Sequence, residues 1–106
     1  MGNQICKKEN GETYKNVIGS DKRDHCSCGS WKEHWKKFSR EKWQSKCSVE
    51  GCSESADLGA HVHIAGEKKE WIVPMCTACN NDWDKEFQLE ANTILVSANK
   101  SETCDA

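Results

Sequence analysis

Long apolar runs are missing from this chain. Its opening residues, MGNQICKKENGETYKN, are polar throughout, so the sequence predicts neither a secretory signal nor a membrane-spanning helix. Without a signal, a reducing cytoplasmic location is favoured. In such a compartment clustered cysteines bind metals more often than they form disulfides.

Apolar residues are also scarce. Cysteine included, they make up 36% of the 106 residues, against 30% for charged residues. A chain of this length is expected to form one domain. A small domain with so few apolar residues usually depends on disulfides or metal ions for stability. Eight cysteines are available for that purpose.

The chain also lacks a large excess of charge of either sign. Its net charge of −2 argues neither for nor against a nucleic-acid partner. The charges are unevenly distributed, however, because residues 22–46 hold eight Lys or Arg against three acidic residues. The basic character is therefore local to that segment.

Four cysteines form two closely spaced pairs. Cys47 and Cys52 flank a four-residue loop that contains Gly51, and Cys76 and Cys79 are separated by two residues. Two short-loop pairs about two dozen residues apart match the four-thiolate ligand set of a structural zinc site. We therefore expect one Zn²⁺ to be held by these four sulfurs.

A second cysteine cluster leaves the zinc count open. Cys26 and Cys28 form a Cys-x-Cys turn, and His34 follows in a predicted helix; together they are the candidate ligands of a second zinc. The remaining candidates are Cys6, His25 and Cys104. The alternative is a set of thiols without metal and a histidine that only packs in the core.

An N-terminal amphipathic helix, preceding the zinc module, is predicted over residues 31–43. Ser30 and Glu33 form a capping box at its start. Trp31, Trp35 and Phe38 share one face, which we expect to pack in the core. The candidate nucleic-acid contacts are the basic residues Lys32, Lys36, Lys37 and Arg40. A merely solvated face is the other interpretation.

The central stretch predicts a β-hairpin between the cysteine pairs. Residues 58–65 alternate apolar and other side chains, and Trp71 to Val73 forms the returning strand, stopped by Pro74. A helix is predicted from Cys76 through Phe87, and short strands are predicted over 13–18 and 93–96. The fold class is therefore α+β.

The order of knuckle, hairpin and Cys-x-x-Cys helix resembles a treble-clef zinc finger, and within that class the HNH nuclease module. The segments GAHVHI and WIVPMCTACNN carry this resemblance, which covers about residues 47–88. It implies a general base at His61. The metal-binding Asp of the family is replaced by Ala60, its helix His by Asn80 and its orienting Asn by Trp71. The resemblance thus implies an HNH-like scaffold without a complete catalytic site.

The chain is divided into a polar lead-in (1–20), a Cys-x-Cys turn with the basic and aromatic helix (21–46), a zinc module (47–98) and a tail (99–106). We interpret it as a zinc-binding recognition module, with DNA, RNA or a protein as partner and no evident small-molecule substrate. One alternative is a metal-dependent endonuclease using His61, and the other is a purely structural zinc domain. His61 and His63, on one strand face, would offer only two ligands to a softer metal.

Overall fold

The computed structural model of the protein describes residues 5–17, 30–82, 85–99 and 103. Along the chain its elements are β1 (Cys6–Lys8), β2 (Tyr14–Asn16), α1 (Trp31–Ser39), β3 (Leu58–Ile64), β4 (Glu70–Met75), α2 (Thr77–Asn80), β5 (Glu86–Phe87) and β6 (Ile94–Ser97). The strands form one sheet in the order β1-β6-β4-β3-β2-β5, with every pairing antiparallel. The predicted α+β class is confirmed.

The predicted hairpin is present as β3–β4 and lies at the centre of the sheet. The prediction that Pro74 stops the second strand is wrong, because Pro74 pairs with Gly59 and β4 continues to Met75. Ala60 pairs with Val73 and Val62 with Trp71, and all four side chains are buried. The alternation in β3 predicts one buried face, yet His61 on the other face is also only 3% exposed. Trp31 of α1 packs against His61 on that second face, so β3 is buried on both sides at its middle.

Helix α1 begins where the capping box predicts. The Ser30 hydroxyl accepts the backbone N–H of Glu33 at 3.1 Å. Trp35 is buried, packs with Ile72 and Val96, and donates its indole N–H to the carbonyl of Ile94 at 2.8 Å. The described chain starts with β1 and β2, so an N-terminal helix is not supported; the amphipathic helix is internal.

Helix α1 is shorter than the predicted 31–43. It ends at Ser39 because Arg40 adopts the left-handed conformation (φ 60°) and closes the last turn with its N–H on the Lys36 carbonyl. Trp43 leaves the helical path. Its indole N–H donates to the Ala56 carbonyl at 3.2 Å, and its ring meets that of Trp35 edge-on.

The helix predicted from Cys76 through Phe87 is wrong in length, because α2 ends at Asn80. The Asn16 side chain donates to the carbonyl of Cys79 at 2.9 Å and satisfies this helix-end acceptor from outside. Phe87 belongs instead to β5, where it pairs with Tyr14 and stacks on its ring.

The short predicted strands lie inside the sheet, each next to an edge strand. The strand predicted over 93–96 is confirmed as β6, which pairs with both β1 and β4. The strand predicted over 13–18 appears as β2 and lies between β3 and β5. Trp83 and Asp84, assigned to the longer helix, fall outside the described residues. No helix in the described ranges has the length and apolarity needed to cross a membrane.

Candidate metal centre

The four predicted ligands of the first zinc converge at one point. The sulfurs of Cys47, Cys52, Cys76 and Cys79 all lie within 4.8 Å of one another. Cys52 Sγ is 3.8 Å from both Cys76 Sγ and Cys79 Sγ. A tetrahedral zinc with Zn–S bonds of about 2.3 Å requires sulfur separations of about 3.8 Å. The donor set and its spacing therefore fit a four-thiolate metal ion.

The first pair is positioned by a tight knuckle. Cys52 donates its backbone N–H to the Val49 carbonyl at 3.0 Å, and Gly51 turns the loop with a positive φ of 84°. The Glu90 carboxylate accepts the N–H of Gly51 at 3.0 Å, so the segment before β6 holds the tip of this loop. Cys47 and Cys52 therefore face the same point.

The second pair is positioned by the start of α2. Cys76 is the N-cap of this helix, and its sulfur accepts the backbone N–H of Cys79 at 3.4 Å. The Asp57 carboxylate accepts both the N–H and the hydroxyl of Thr77 at 3.3 Å. The residue before β3 thereby holds the helix start in place.

The four thiols have different ionisation tendencies. Burial raises the pKa of the Cys47 thiol. Burial, together with the neighbouring sulfurs, also raises the pKa of Cys79. At Cys76 burial opposes ionisation too, but the N–H of Cys79 and the adjacent thiols outweigh it and lower the pKa. Cys47 and Cys79 thus resist ionisation unless a cation lies among the sulfurs.

Four protein ligands leave a tetrahedral ion no position for water or substrate. Catalytic zinc sites keep such a position open, whereas structural sites are closed. Zn²⁺ bound here would supply folding free energy by joining the knuckle to the end of β4. It would do no chemistry on a substrate.

The second predicted zinc site lies mostly outside the described residues. Cys26, Cys28, His25 and Cys104 all fall there, and Cys6 is exposed on β1. His34 is fully buried, with its Nε2 2.8 Å from the Ser97 carbonyl. Because a carbonyl only accepts, Nε2 carries the proton. The second site stays a prediction.

The residues implied by the HNH resemblance are largely core residues. The His61 ring is buried edge-on against Trp31, with centroids 4.3 Å apart. His63 Nδ1 is 2.9 Å from the Glu67 carbonyl, and Ala60 and Trp71 are buried. Apart from the four cysteines, no group of three or more His, Cys, Asp or Glu in the described ranges could share a metal ion.

The candidate nucleic-acid contacts differ in their surroundings. Lys32 lies over the Trp43 ring and Lys37 near that of Phe38, with Nζ-to-centroid distances of 5.0 and 5.4 Å. Lys36 pairs with Glu33 at 3.4 Å, and Arg40 is exposed at the helix end. Cations in the last turn also complement the helix dipole, so part of their role is stabilisation of α1.

Glu90, Asp57 and Asn16 support the metal centre without any motif that marks them. Each is remote in sequence from the cysteine pair whose backbone it holds, and its role depends on the completed sheet. No family model, curated protein or solved structure matches the chain.

Proposed function

We propose that this protein is an intracellular zinc-stabilised recognition module of the treble-clef type, with an HNH-like scaffold that lacks a catalytic centre. The observation that carries the proposal is the convergence of four cysteine sulfurs at the spacing zinc requires. The order of knuckle, hairpin and Cys-x-x-Cys helix supports the treble-clef assignment. A reducing location keeps the four thiols available for metal.

The proposed contact surface is the basic last turn of α1 and the residues that follow it, defined by Lys36, Lys37, Arg40 and Lys42. All four side chains are exposed and lie within about two helical turns of sequence. Glu33 and Glu41 offset part of this charge. The proposed partner is a nucleic acid, DNA or RNA, bound through its phosphate backbone. A protein partner is the competing outcome of the test.

The metal centre is tested by counting zinc in the purified reduced protein by native mass spectrometry. One zinc per chain is expected from the four-cysteine site alone. Removal of that ion with a chelator should unfold the chain, followed as loss of circular dichroism signal and recovered on adding zinc back. A chain that keeps its fold after complete zinc removal would contradict a structural role for the metal.

The contact surface is tested by replacing Lys36, Lys37 and Arg40 with Gln, which removes three positive charges. Glutamine avoids placing acidic side chains at the C-terminal end of a helix, where they are unfavourable. The matched control carries Lys8→Gln, Lys68→Gln and Lys85→Gln, which removes the same charge from exposed positions elsewhere.

Fluorescence anisotropy with labelled DNA and RNA, measured across a salt series, gives the affinity and its salt dependence. The contact variant should bind more weakly than the control. The slope of its log affinity against log salt concentration should be smaller, by the equivalent of up to about three phosphate contacts. Equal losses in both variants would show that only net charge matters. Absence of binding by the natural chain at low salt would favour a protein partner.

A further inference from the structure

The metal centre is unevenly protected from solvent. Cys47 and Cys76 are buried, at 0% and 3% exposure, whereas Cys52 and Cys79 are partly exposed. The Sγ atoms of these two partly exposed residues are neighbours, 3.8 Å apart. The cluster therefore has a partly exposed side, formed by Cys52 and Cys79, and a buried side, formed by Cys47 and Cys76.

We propose that Cys52 and Cys79 are a reversible oxidation site, and that a hydroperoxide converts them into a disulfide with release of the zinc ion. The inference rests on the proposed zinc centre. Oxidation of cysteine follows thiolate character and exposure, and zinc keeps its ligands as thiolates. Both conditions coincide at these two sulfurs.

The reaction balances with the hydroperoxide as the sole oxidant. The Cys52 thiolate attacks the peroxide oxygen, the O–O bond breaks, and a sulfenic acid forms with departure of hydroxide or alkoxide. The Cys79 thiolate then attacks the Cys52 sulfur, the S–O bond breaks, and hydroxide leaves as the disulfide forms. Two thiolates lose two electrons in total, and the peroxide gains them.

The geometry selects this pair over the other sulfurs. Cys52 Sγ is equally close to Cys76 and Cys79, at 3.8 Å in each case. Cys76 is the less suitable partner because it is buried and its sulfur accepts the N–H of Cys79 at the start of α2. Cys79 has the exposure that an attacking or resolving thiolate requires.

Zinc release follows from the loss of half the ligand set. After oxidation only Cys47 and Cys76 remain as thiolates, and two buried sulfurs do not complete a tetrahedral site. The knuckle and α2 would stay joined through the disulfide in place of the metal. The oxidised form should therefore keep the hairpin. The charges of the zinc ion and of the Cys52 and Cys79 thiolates are lost from the cluster.

The experiment treats the zinc-loaded full chain with hydrogen peroxide and follows released zinc with a colour indicator. Remaining thiols are then blocked and the chain is cleaved after Lys and Glu. Cleavage at Glu50 separates Cys47 from Cys52, and fragmentation within Thr77-Ala78 distinguishes Cys76 from Cys79. Cys6→Ser is the matched control, because Cys6 is exposed but outside the cluster.

The expected result is one zinc released for every two thiols lost, a Cys52–Cys79 disulfide, and recovery of zinc binding after reduction. The Cys6→Ser variant should behave identically. A disulfide between any other pair, or zinc retained while thiols are oxidised, would overturn the inference. If the chain carries no zinc before peroxide is added, the zinc centre itself fails, and this inference fails with it.

Discussion

A methyl group added at Gly59 tests how closely β3 approaches α1. A Cβ at this position would lie 2.6 Å from the backbone carbonyl carbon of Trp31, 2.7 Å from its oxygen and 2.8 Å from the backbone nitrogen of Lys32. Ordinary contacts begin near 3.4 Å, so the start of α1 must move by about 0.8 Å. No side-chain rotation relieves the clash, because all three atoms are backbone.

The expected cost of Gly59→Ala is about 2 kcal/mol or more in the free energy of unfolding. Overpacking of a filled interior typically costs about 1–3 kcal/mol. In open space the same substitution in a strand would instead stabilise by about 0.5–1 kcal/mol, because alanine has less backbone freedom to lose. The sign of the change therefore reports the contact.

The assay is urea unfolding of the zinc-loaded protein, followed by tryptophan fluorescence. Gly66→Ala is the control: Gly66 has a φ of 88°, but its added Cβ would meet nothing within 4 Å. The free energy of unfolding of that control should fall by about 1–2 kcal/mol through backbone strain alone. The zinc content of Gly59→Ala should stay unchanged, because α1 packs with a different core cluster from the cysteines. A variant as stable as the natural chain would refute the close approach.

Three further perturbations test the interior and the metal centre. Burial raises the pKa of Tyr14 to about 12 from 10.0, so its neutral form stabilises the fold below pH 10 and this contribution fades as pH rises toward 12. Urea unfolding should show the natural chain losing up to about 3 kcal/mol more than Tyr14→Phe over that window. Glu90→Ala frees the tip of the zinc knuckle and should weaken zinc binding about tenfold in chelator competition, whereas Glu90→Gln, which keeps an acceptor for Gly51, should lose less. His34→Gln should lower a zinc count of two to one if His34 is a ligand; an unchanged count with lower stability would identify a packed histidine.

Local signals made part of this structure predictable. The two cysteine spacings, the alternation in β3 and the capping box at Ser30 each depend on neighbours in sequence, and each corresponds to a feature of the fold. The clustering of four sulfurs followed from them, because a hairpin that brings its own ends together also brings together the cysteines beside them.

The remaining features depend on contacts between distant residues. Alternation in β3 reveals one buried face but not that α1 buries His61 on the other. The Cys79 carbonyl near the early end of α2 accepts a hydrogen bond from Asn16, more than sixty residues away. The place of β2 inside the sheet requires β5, a strand too short to show a period of its own. Such pairings leave no local pattern to recognise.

The first and last strands of the described sheet are neighbours, whereas β2–β3 and β3–β4 are the described pairings that join successive strands. A chain synthesised from its N-terminus therefore exposes β1 long before β6 exists to receive it. The hairpin and both cysteine pairs are complete earlier. We expect metal capture to precede closure of the sheet on the emerging chain, because pairing of distant strands carries the larger loop-closure entropy. Amides of Lys7 and its neighbours should accordingly be the last to gain protection from hydrogen exchange during refolding.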